Sequence, residues 1–467
     1  MDYDVLILGG GIIGCSISYE LSKYSLNIAL IEKEYDVADE IAAVNSAIIY
    51  DGIESKDTLM SKLEVLGNSM FDEITDKFKV PFKRCGSFLL AKNEKEVKGL
   101  EELYANAVKR GIKDIEIVDA SFVKEKEPNI KTDFIKALYS KNTAVVAPYD
   151  LAIAYGEVAF DNGVNFKLEE EVFDIQKTSK GYKIITNKNK FTCKTVINTT
   201  PGIDYKIDKQ QVGKSEIKSS GSVKNSLYLG KKYKNSFSSV IFTLDDNNEI
   251  LNSINNIKGN ILITKKDEEA INFKDMESFV DDFIRGYDEK NIKEFFIRKF
   301  YDDPIIIDDS LIDKGYIKIS GKYYSEITMT PSIAKMVCET IVGNLNAKPK
   351  KEYFDKRREM FRFRELSNDE KNQMIKVNKK YGKIICVCQT VTEGEIIDAI
   401  RRPLGARTVE GVRRRTGVTF GDCQGAYCLN SIVNILARET NKNVNEIVKS
   451  SKNSYIVKGR IKEFNEM

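Results

Sequence analysis

The chain contains no histidine and no tryptophan among its 467 residues. The missing histidine excludes a Ser-His-Asp triad, a histidine-bound zinc and a Rieske-type cluster built from this chain alone. Acid–base chemistry near neutral pH then falls to a Lys, Tyr, Glu or Asp with a displaced pKa, or to a prosthetic group. No apolar run approaches the ~18–20 residues needed to span a bilayer. The opening MDYDVLILGG has no basic n-region and enters a strand at once, which argues against a cleaved signal peptide. Eight cysteines without such a signal lead us to expect a cytoplasmic, reducing location, with thiols as ligands or core residues rather than disulfides.

A hydrophobic fraction of 42% beside 31% charged residues is that of a soluble globular protein, and the length allows about two to four domains. Charge is uneven. Residues 347–380 hold twelve Lys/Arg against six Asp/Glu, and residues 381–467 hold fourteen against nine. With a total of +3, the first 346 residues carry −8. The basic run lacks a nucleic-acid-binding motif. It reads as a solvated surface, or as a face for an acidic protein or an anionic cofactor.

The first line carries a dinucleotide fingerprint. The apolar YDVLIL predicts a strand, and Gly9-Gly10-Gly11-Ile12-Ile13-Gly14 fits G-x-G-x-x-G. CSISYELSKYS then has helical spacing, and NIALIEK predicts a second strand ending in Glu32. In such a βαβ unit Gly9 makes the tight turn and Gly11 admits the pyrophosphate to the helix N-terminus, with Ile12 and Ile13 beside it among the expected cofactor contacts. Gly14 lets helix and strand pack closely, and Glu32 can bond a ribose hydroxyl. Strand patterns recur at GVNFKLEEEVFDIQKTSKGYKIITNKNKFTCKTVINTTPG and GYIKIS, with a helix from about Pro331. This points to a discontinuous domain of the FAD kind.

Four of the eight cysteines are grouped: Cys386 and Cys388, then Cys423 and Cys428. C-x-C, a gap of 34 residues and C-x4-C offer four thiolates, which suit a [2Fe-2S] cluster or tetrahedral zinc, although C-x-C is unusual for structural zinc. Gly421 and Gly425 flank the second pair and would let backbone N–H groups turn toward sulfur. The intervening VTEGEIIDAIRR and TVEGVRRRTG read as short helices. Arg413, Arg414 and Arg415 read as a solvated helix face, or as compensation for an anionic cluster. Cys15, Cys85, Cys193 and Cys338 fall in apolar strand or helix patterns and are expected to be inert.

The layout resembles the glycerol-3-phosphate dehydrogenase and L-2-hydroxyglutarate oxidase group of FAD enzymes, in the form that ends in a bacterioferritin-associated-ferredoxin-like [2Fe-2S] domain. EKEYDVA, NSAII, VVAPYDLAIAYGEVAFDNGV, FRELSNDEK, YGKIICVC and VTEGEI carry the resemblance over nearly the whole chain. It implies an α/β fold in which a Rossmann-like FAD domain (1–45, 146–205, 315–346) holds an inserted α+β substrate-type domain (46–145, 206–314). A basic linker (347–380), a small helical [2Fe-2S] domain (381–445) and a tail (446–467) follow. It adds Lys33, Asn45, Ser46, Val172, Gly202 and Thr328 to the expected FAD contacts. The implied activity passes electrons from a small organic substrate through FAD and the cluster to an acceptor protein or partner subunit. No nucleic acid and no membrane span are expected.

The departures lie beside the diphosphate, where two carboxylates are electrostatically unfavourable unless they turn away, at the ring end of the flavin, and in the substrate domain. Asp39-Glu40-Ile41-Ala42 replaces a Gly-Thr-Ser type turn, Tyr50-Asp51-Gly52 replaces His-Ala-Gly, and Ser325-Glu326 replaces Pro-Gly. Ser220-Gly221-Ser222 replaces Arg-Gly-Glu, and Tyr301-Asp302-Asp303-Pro304 replaces Ala-Gly-x-Arg. Losing the Arg and His removes the obvious binders of a phosphate or carboxylate. The substrate is then expected to differ, or this chain serves as a catalytically degenerate electron-transfer or scaffold subunit. Tyr50 is a candidate hydrogen-bond donor in place of the histidine, beside the simpler reading of a buried structural tyrosine.

Overall fold

A computed structural model describes residues 1–39, 47–55, 57–210, 222–230, 233, 236–244, 250–257 and 260–459, with 209–210, 250–257 and 260 followed in backbone only. Asn45, Ser46, Glu40, Ile41, Ala42, Ser220 and Gly221 lie outside these residues.

The first sheet runs Val172–Thr178, Gly181–Thr186, Lys190–Asn198, Tyr3–Leu8, Ile28–Ile31, Asn165–Lys167. Tyr3–Leu8 lies parallel between Lys190–Asn198 and Ile28–Ile31. Alternation along it sends Val5 and Ile7 into one core and Leu6 and Leu8 into another. A strand covered on both faces reads as continuously apolar, which is why YDVLIL has no polar alternation. Helices Ile12–Ser22, Pro148–Asp161 and Glu326–Leu345 pack on the Val5 and Ile7 side.

Three expected boundaries shift. Strand Asp302–Leu311, expected in the inserted domain, pairs with Tyr316–Tyr323 of the first sheet, so the break at 314/315 falls inside a hairpin. Helix Thr58–Phe78, expected with the inserted domain, buries Leu63, Phe71, Ile74 and Phe78 in the first core. The helix expected from about Pro331 begins at Glu326 and keeps Pro331 inside it, although proline favours the first helical position.

The second sheet runs Ile292–Lys299, Val223–Leu229, Asn260–Asp267, Ile250–Ile257, Val240–Leu244, Ser87–Ala91, Lys136–Ser140, Ile115–Asp119. Helices Glu94–Lys109, Ala120–Lys126 and Phe273–Phe283 cover it, giving an α+β unit. The small third unit wraps helices Glu393–Arg401, Val409–Thr416 and Leu429–Thr440 around Ile396, Ile400, Val412, Ile432 and Leu436. A capping box from Thr392 and Glu395 starts its first helix.

Residues 347–380 are not a free basic linker. Arg357 pairs with Asp150 and Glu157, Arg362 with Asp150 and Arg358 with Asp161, so the basic run lies along helix Pro148–Asp161. The acids it serves are about 200 positions upstream. The segment expected as a tail from 446 also folds back: Val448 bridges to Tyr455, and Val409 and Glu410 donate to the Val448 and Lys449 carbonyls. Among the described residues, no helix is long and apolar enough to cross a membrane.

Candidate functional site

A groove with a cavity of about 340 Å³ opens above the N-terminus of helix Ile12–Ser22. Gly9 has φ +102°, and a Cβ on Gly14 would stand 2.0 Å from the Gly9 carbonyl oxygen, so both positions require glycine. A Cβ on Gly11 would meet nothing within 4 Å, because that position faces the groove. The first turn has no acidic residue and no side-chain cap, so its orphan N–H groups are left for an anion.

Glu32 ends the second strand at the groove wall. It accepts hydrogen bonds from the backbone N–H groups of Gly10 (2.6 Å) and Glu34 (2.8 Å). Burial nevertheless raises its pKa, with those bonds working in the other direction. Each carboxylate oxygen keeps a lone pair for a sugar hydroxyl. A bound dinucleotide fits these parts: a helix N-terminus, a cleared glycine and a ribose acid.

Of the expected contacts, Gly9, Gly11, Ile12, Ile13, Gly14, Glu32, Lys33 and Val172 line the groove. Gly202 and Thr328 do not: Pro201 and Ile203, and Glu326 and Ile327, take those places. Thr328 is buried and uses its hydroxyl to accept the Tyr50 N–H at 3.0 Å. Asp39, singled out in the sequence as a departure, lines the groove. Glu170, Thr199 and Lys322 also line it and escaped sequence reading, because they belong to three separate segments with no motif of their own.

Tyr50 is a buried, packed residue. It stacks against Phe242 at 6.1 Å and meets the edge of Tyr324 at 5.0 Å, and Tyr324 in turn stacks on Phe300. Behind it lie three carboxylates. Burial raises Asp51; burial and its neighbours Asp51 and Glu64 push Glu54 well up. Burial drives Glu64 up to about 8, although Ser325 donates to it at 2.6 Å. The Ser325 hydroxyl that could cap the following helix is thus committed to Glu64.

On the second sheet, Lys224 stands directly opposite Lys266 on one neighbour and Arg298 on the other. Both lysine ammonium groups lie over the Phe300 ring, at 4.7 and 4.6 Å. Lost solvent and the adjacent Lys266 pull Lys224 down to about 8, with Asp302 acting the other way.

The grouped cysteines meet as two pairs drawn from both loops. Cys388 Sγ lies 3.6 Å from Cys423 Sγ, and Cys428 lies beside Cys386. Backbone N–H groups of Tyr427 and Gly425, with Cys388, hold the Cys423 thiol below its usual pKa. Burial and the Cys386 neighbour raise Cys428 to about 11. A Cβ on Gly421 would stand 2.2 Å from Cys388 Cβ, so only glycine lets the two loops close. Among the described residues no three metal-binding side chains converge on a single-ion point. Two thiol pairs suit a two-iron centre, one pair per iron, better than one tetrahedral zinc. Cys15, Cys193 and Cys338 are buried with thiols pushed up, the last two to about 12. Cys85, expected in an apolar strand or helix pattern, is half-buried in the connection before strand Ser87–Ala91, and burial raises it to about 11.

Residues 4–340 match the family model described as FAD dependent oxidoreductase, and residues 384–438 match the BFD-like [2Fe-2S] binding domain. A glycerol 3-phosphate dehydrogenase of Caloramator mitchellensis is 37% identical over 98% of this chain and 99% of its own length. A mitochondrial L-2-hydroxyglutarate dehydrogenase of Caenorhabditis elegans is 40% identical over 31% of this chain and 34% of its own. Among solved structures, the dithionite-reduced L-alpha-glycerophosphate oxidase of Mycoplasma pneumoniae with FAD bound has a TM-score of 0.61 at 20% identity. It covers 76% of this chain and 98% of that one, a likeness of fold. The chain therefore belongs to the FAD dependent oxidoreductase family and carries a BFD-like [2Fe-2S] binding domain.

Proposed function

We propose that this protein is a dehydrogenase that oxidises a small anionic alcohol and delivers the electrons, through FAD and a [2Fe-2S] cluster, to a protein acceptor. Bound FAD supplies a two-electron acceptor that can release electrons singly, and the cluster supplies a one-electron relay. Gly9, Gly11 and Gly14 hold the diphosphate at the helix N-terminus, and Glu32 holds the ribose. Cys386, Cys388, Cys423 and Cys428 ligate the cluster. Lys224 and Lys266 hold the anionic end of the substrate. Tyr50 serves as an aromatic wall of the site.

The lysine pair is the observation that carries the substrate class. Like charges directly opposed on neighbouring strands destabilise a sheet. Three cations on adjacent strands, offset in part by Asp302, make a place for an anion where the sequence pattern had lost its arginine. The full-length relative that acts on glycerol 3-phosphate makes that phosphate ester the first compound to try. Lys224→Met should raise the KM for glycerol 3-phosphate at least about tenfold, the scale of one lost charged hydrogen bond, with flavin and iron content unchanged. An unchanged KM would place the anion elsewhere. Wild-type flavin that glycerol 3-phosphate never bleaches would favour the degenerate subunit, whose altered ring-end residues are the observation on its side.

A further inference from the structure

We propose that the cluster domain forms part of the flavin site: Arg414 neutralises Asp39 at the rim of the dinucleotide groove, so FAD is held tightly only while that domain is docked. The inference rests on reading the groove as the FAD site. The loop after Glu32 folds against the glycine turn, where the Ala38 N–H donates to the Gly10 carbonyl at 2.8 Å. That places Asp39 on the groove wall with Gly11 and Ile12. A bare carboxylate there faces a diphosphate of the same sign. At the effective dielectric of a protein surface, such repulsion is worth about tenfold or more in affinity.

Arg414 comes from helix Val409–Thr416 of the cluster domain, 375 positions away, and its guanidinium donates to Asp39. Its side chain is 9% exposed and lies over the Tyr149 ring at 5.0 Å. Its Nη1 is buried and, among the described residues, has no hydrogen-bond partner. A buried cationic donor left unpaired is costly. The neighbouring contacts fix this arginine in place. Arg415 donates to both Asp36 oxygens at 2.6 and 2.8 Å and to the Leu404 carbonyl at 2.6 Å. Leu404 packs onto Gly156, where a Cβ would stand 2.7 Å from its Cδ1, and Arg402 donates to Glu157 at 3.0 Å. Arg414 therefore reaches Asp39 by way of a domain whose core buries Cys386 and Cys428, and a chain whose cluster domain unfolds on losing its cluster should lose its flavin.

The test uses full-length protein purified without oxygen, with the FAD dissociation constant and iron content read for Arg414→Gln, Asp39→Asn and the double variant. Arg414→Gln should weaken FAD about tenfold at low salt, and less at high salt as the repulsion is screened. Asp39→Asn should bind FAD as tightly as wild type or more tightly, with iron unchanged, and the double variant should return to within about threefold of wild type. Asp39→Asn that weakens FAD, or a double variant as weak as Arg414→Gln, would reduce the pair to a structural clip and overturn the proposal. If Arg414→Gln sheds its iron, Asp39→Asn still decides, since its prediction needs no loss of Arg414. Gly11→Leu separates the underlying reading. Full flavin retention there would refute the groove itself, whereas flavin loss there with a weakened Asp39→Asn would refute the proposal alone.

Discussion

Where the cluster domain meets the first sheet, Arg415 faces Asp36, Arg402 and Arg357 share Glu157, and Arg357 and Arg362 share Asp150. Behind Tyr50, Arg110 acts on Glu54 and Glu64, while Asp51 accepts from the Ser140 and Thr143 hydroxyls. Both places are deep, and the acids behave oppositely. Burial alone would raise Glu157, but Arg357 and Arg402 outweigh it and its pKa falls. Glu64 rises to about 8, and Asp51 and Glu54 rise with it. Matched charge fixes one domain on another, and removing one partner leaves an uncompensated ion. Surplus acid is accommodated by keeping protons. A chain without histidine thus still keeps a carboxyl, Glu64, pushed up to about 8 behind Tyr50.

The largest expected effect breaks the matched side. Arg415→Ala leaves Asp36 buried and charged, with exposures of 0% and 3% for the two side chains, and should cost about 3–5 kcal/mol. Thermal unfolding should show a large fall in midpoint together with early iron loss. A shift no larger than that of a surface variant would mean the junction is not held by charge.

The next effect sharpens the surplus side. In the unfolded chain Glu64 ionises near 4.5, and in the folded protein near 8. Between those values the unfolded state binds fewer protons, so stability falls as pH rises through the window and is fully present below it. Glu64→Gln removes that dependence while its amide oxygen still accepts from Ser325. The variant should be more stable than wild type at pH 9 by about 2–4 kcal/mol and indistinguishable at pH 4. Equal midpoints at pH 9 would show that Glu64 is already ionised in the fold.

The smallest effect supplies the contrast in exposure. Arg358, 55% exposed, meets Asp161 at 2.7 Å on the same helix that carries Asp150 and Glu157. Asp161→Asn should cost less than about 1 kcal/mol and should lose that cost in salt. A cost like that of Arg415→Ala would erase the distinction between buried and surface pairs along this helix.

The parts legible in the sequence were those whose chemistry is local. G-x-G-x-x-G states its own turn, and C-x-C with C-x4-C announces two loops whose thiols meet. What escaped depends on partners far along the chain. The basic stretch from 347 reads as solvent-facing until strands bring helix Pro148–Asp161 beneath it. Arg413, Arg414 and Arg415 look like one stripe, yet Arg413 stays with Glu410 and Phe420 in its own domain while its two neighbours cross to Asp39 and Asp36. Lys224 and Lys266 are 42 residues apart and meet through strand register alone. Glu64 carries no signal in sequence, because an acid on an amphipathic helix normally faces water. Its burial follows from helix Thr58–Phe78 being covered by helix Glu326–Leu345, with Ser325 at the entrance.

The central claim is that one chain joins a flavin to a two-iron relay. Counting iron, acid-labile sulfide and flavin in anaerobically purified protein tests it most directly. The account predicts about two irons and two sulfides, as a [2Fe-2S] centre requires, with one FAD per chain. Zinc in place of iron, or iron and sulfide with no flavin, would contradict it.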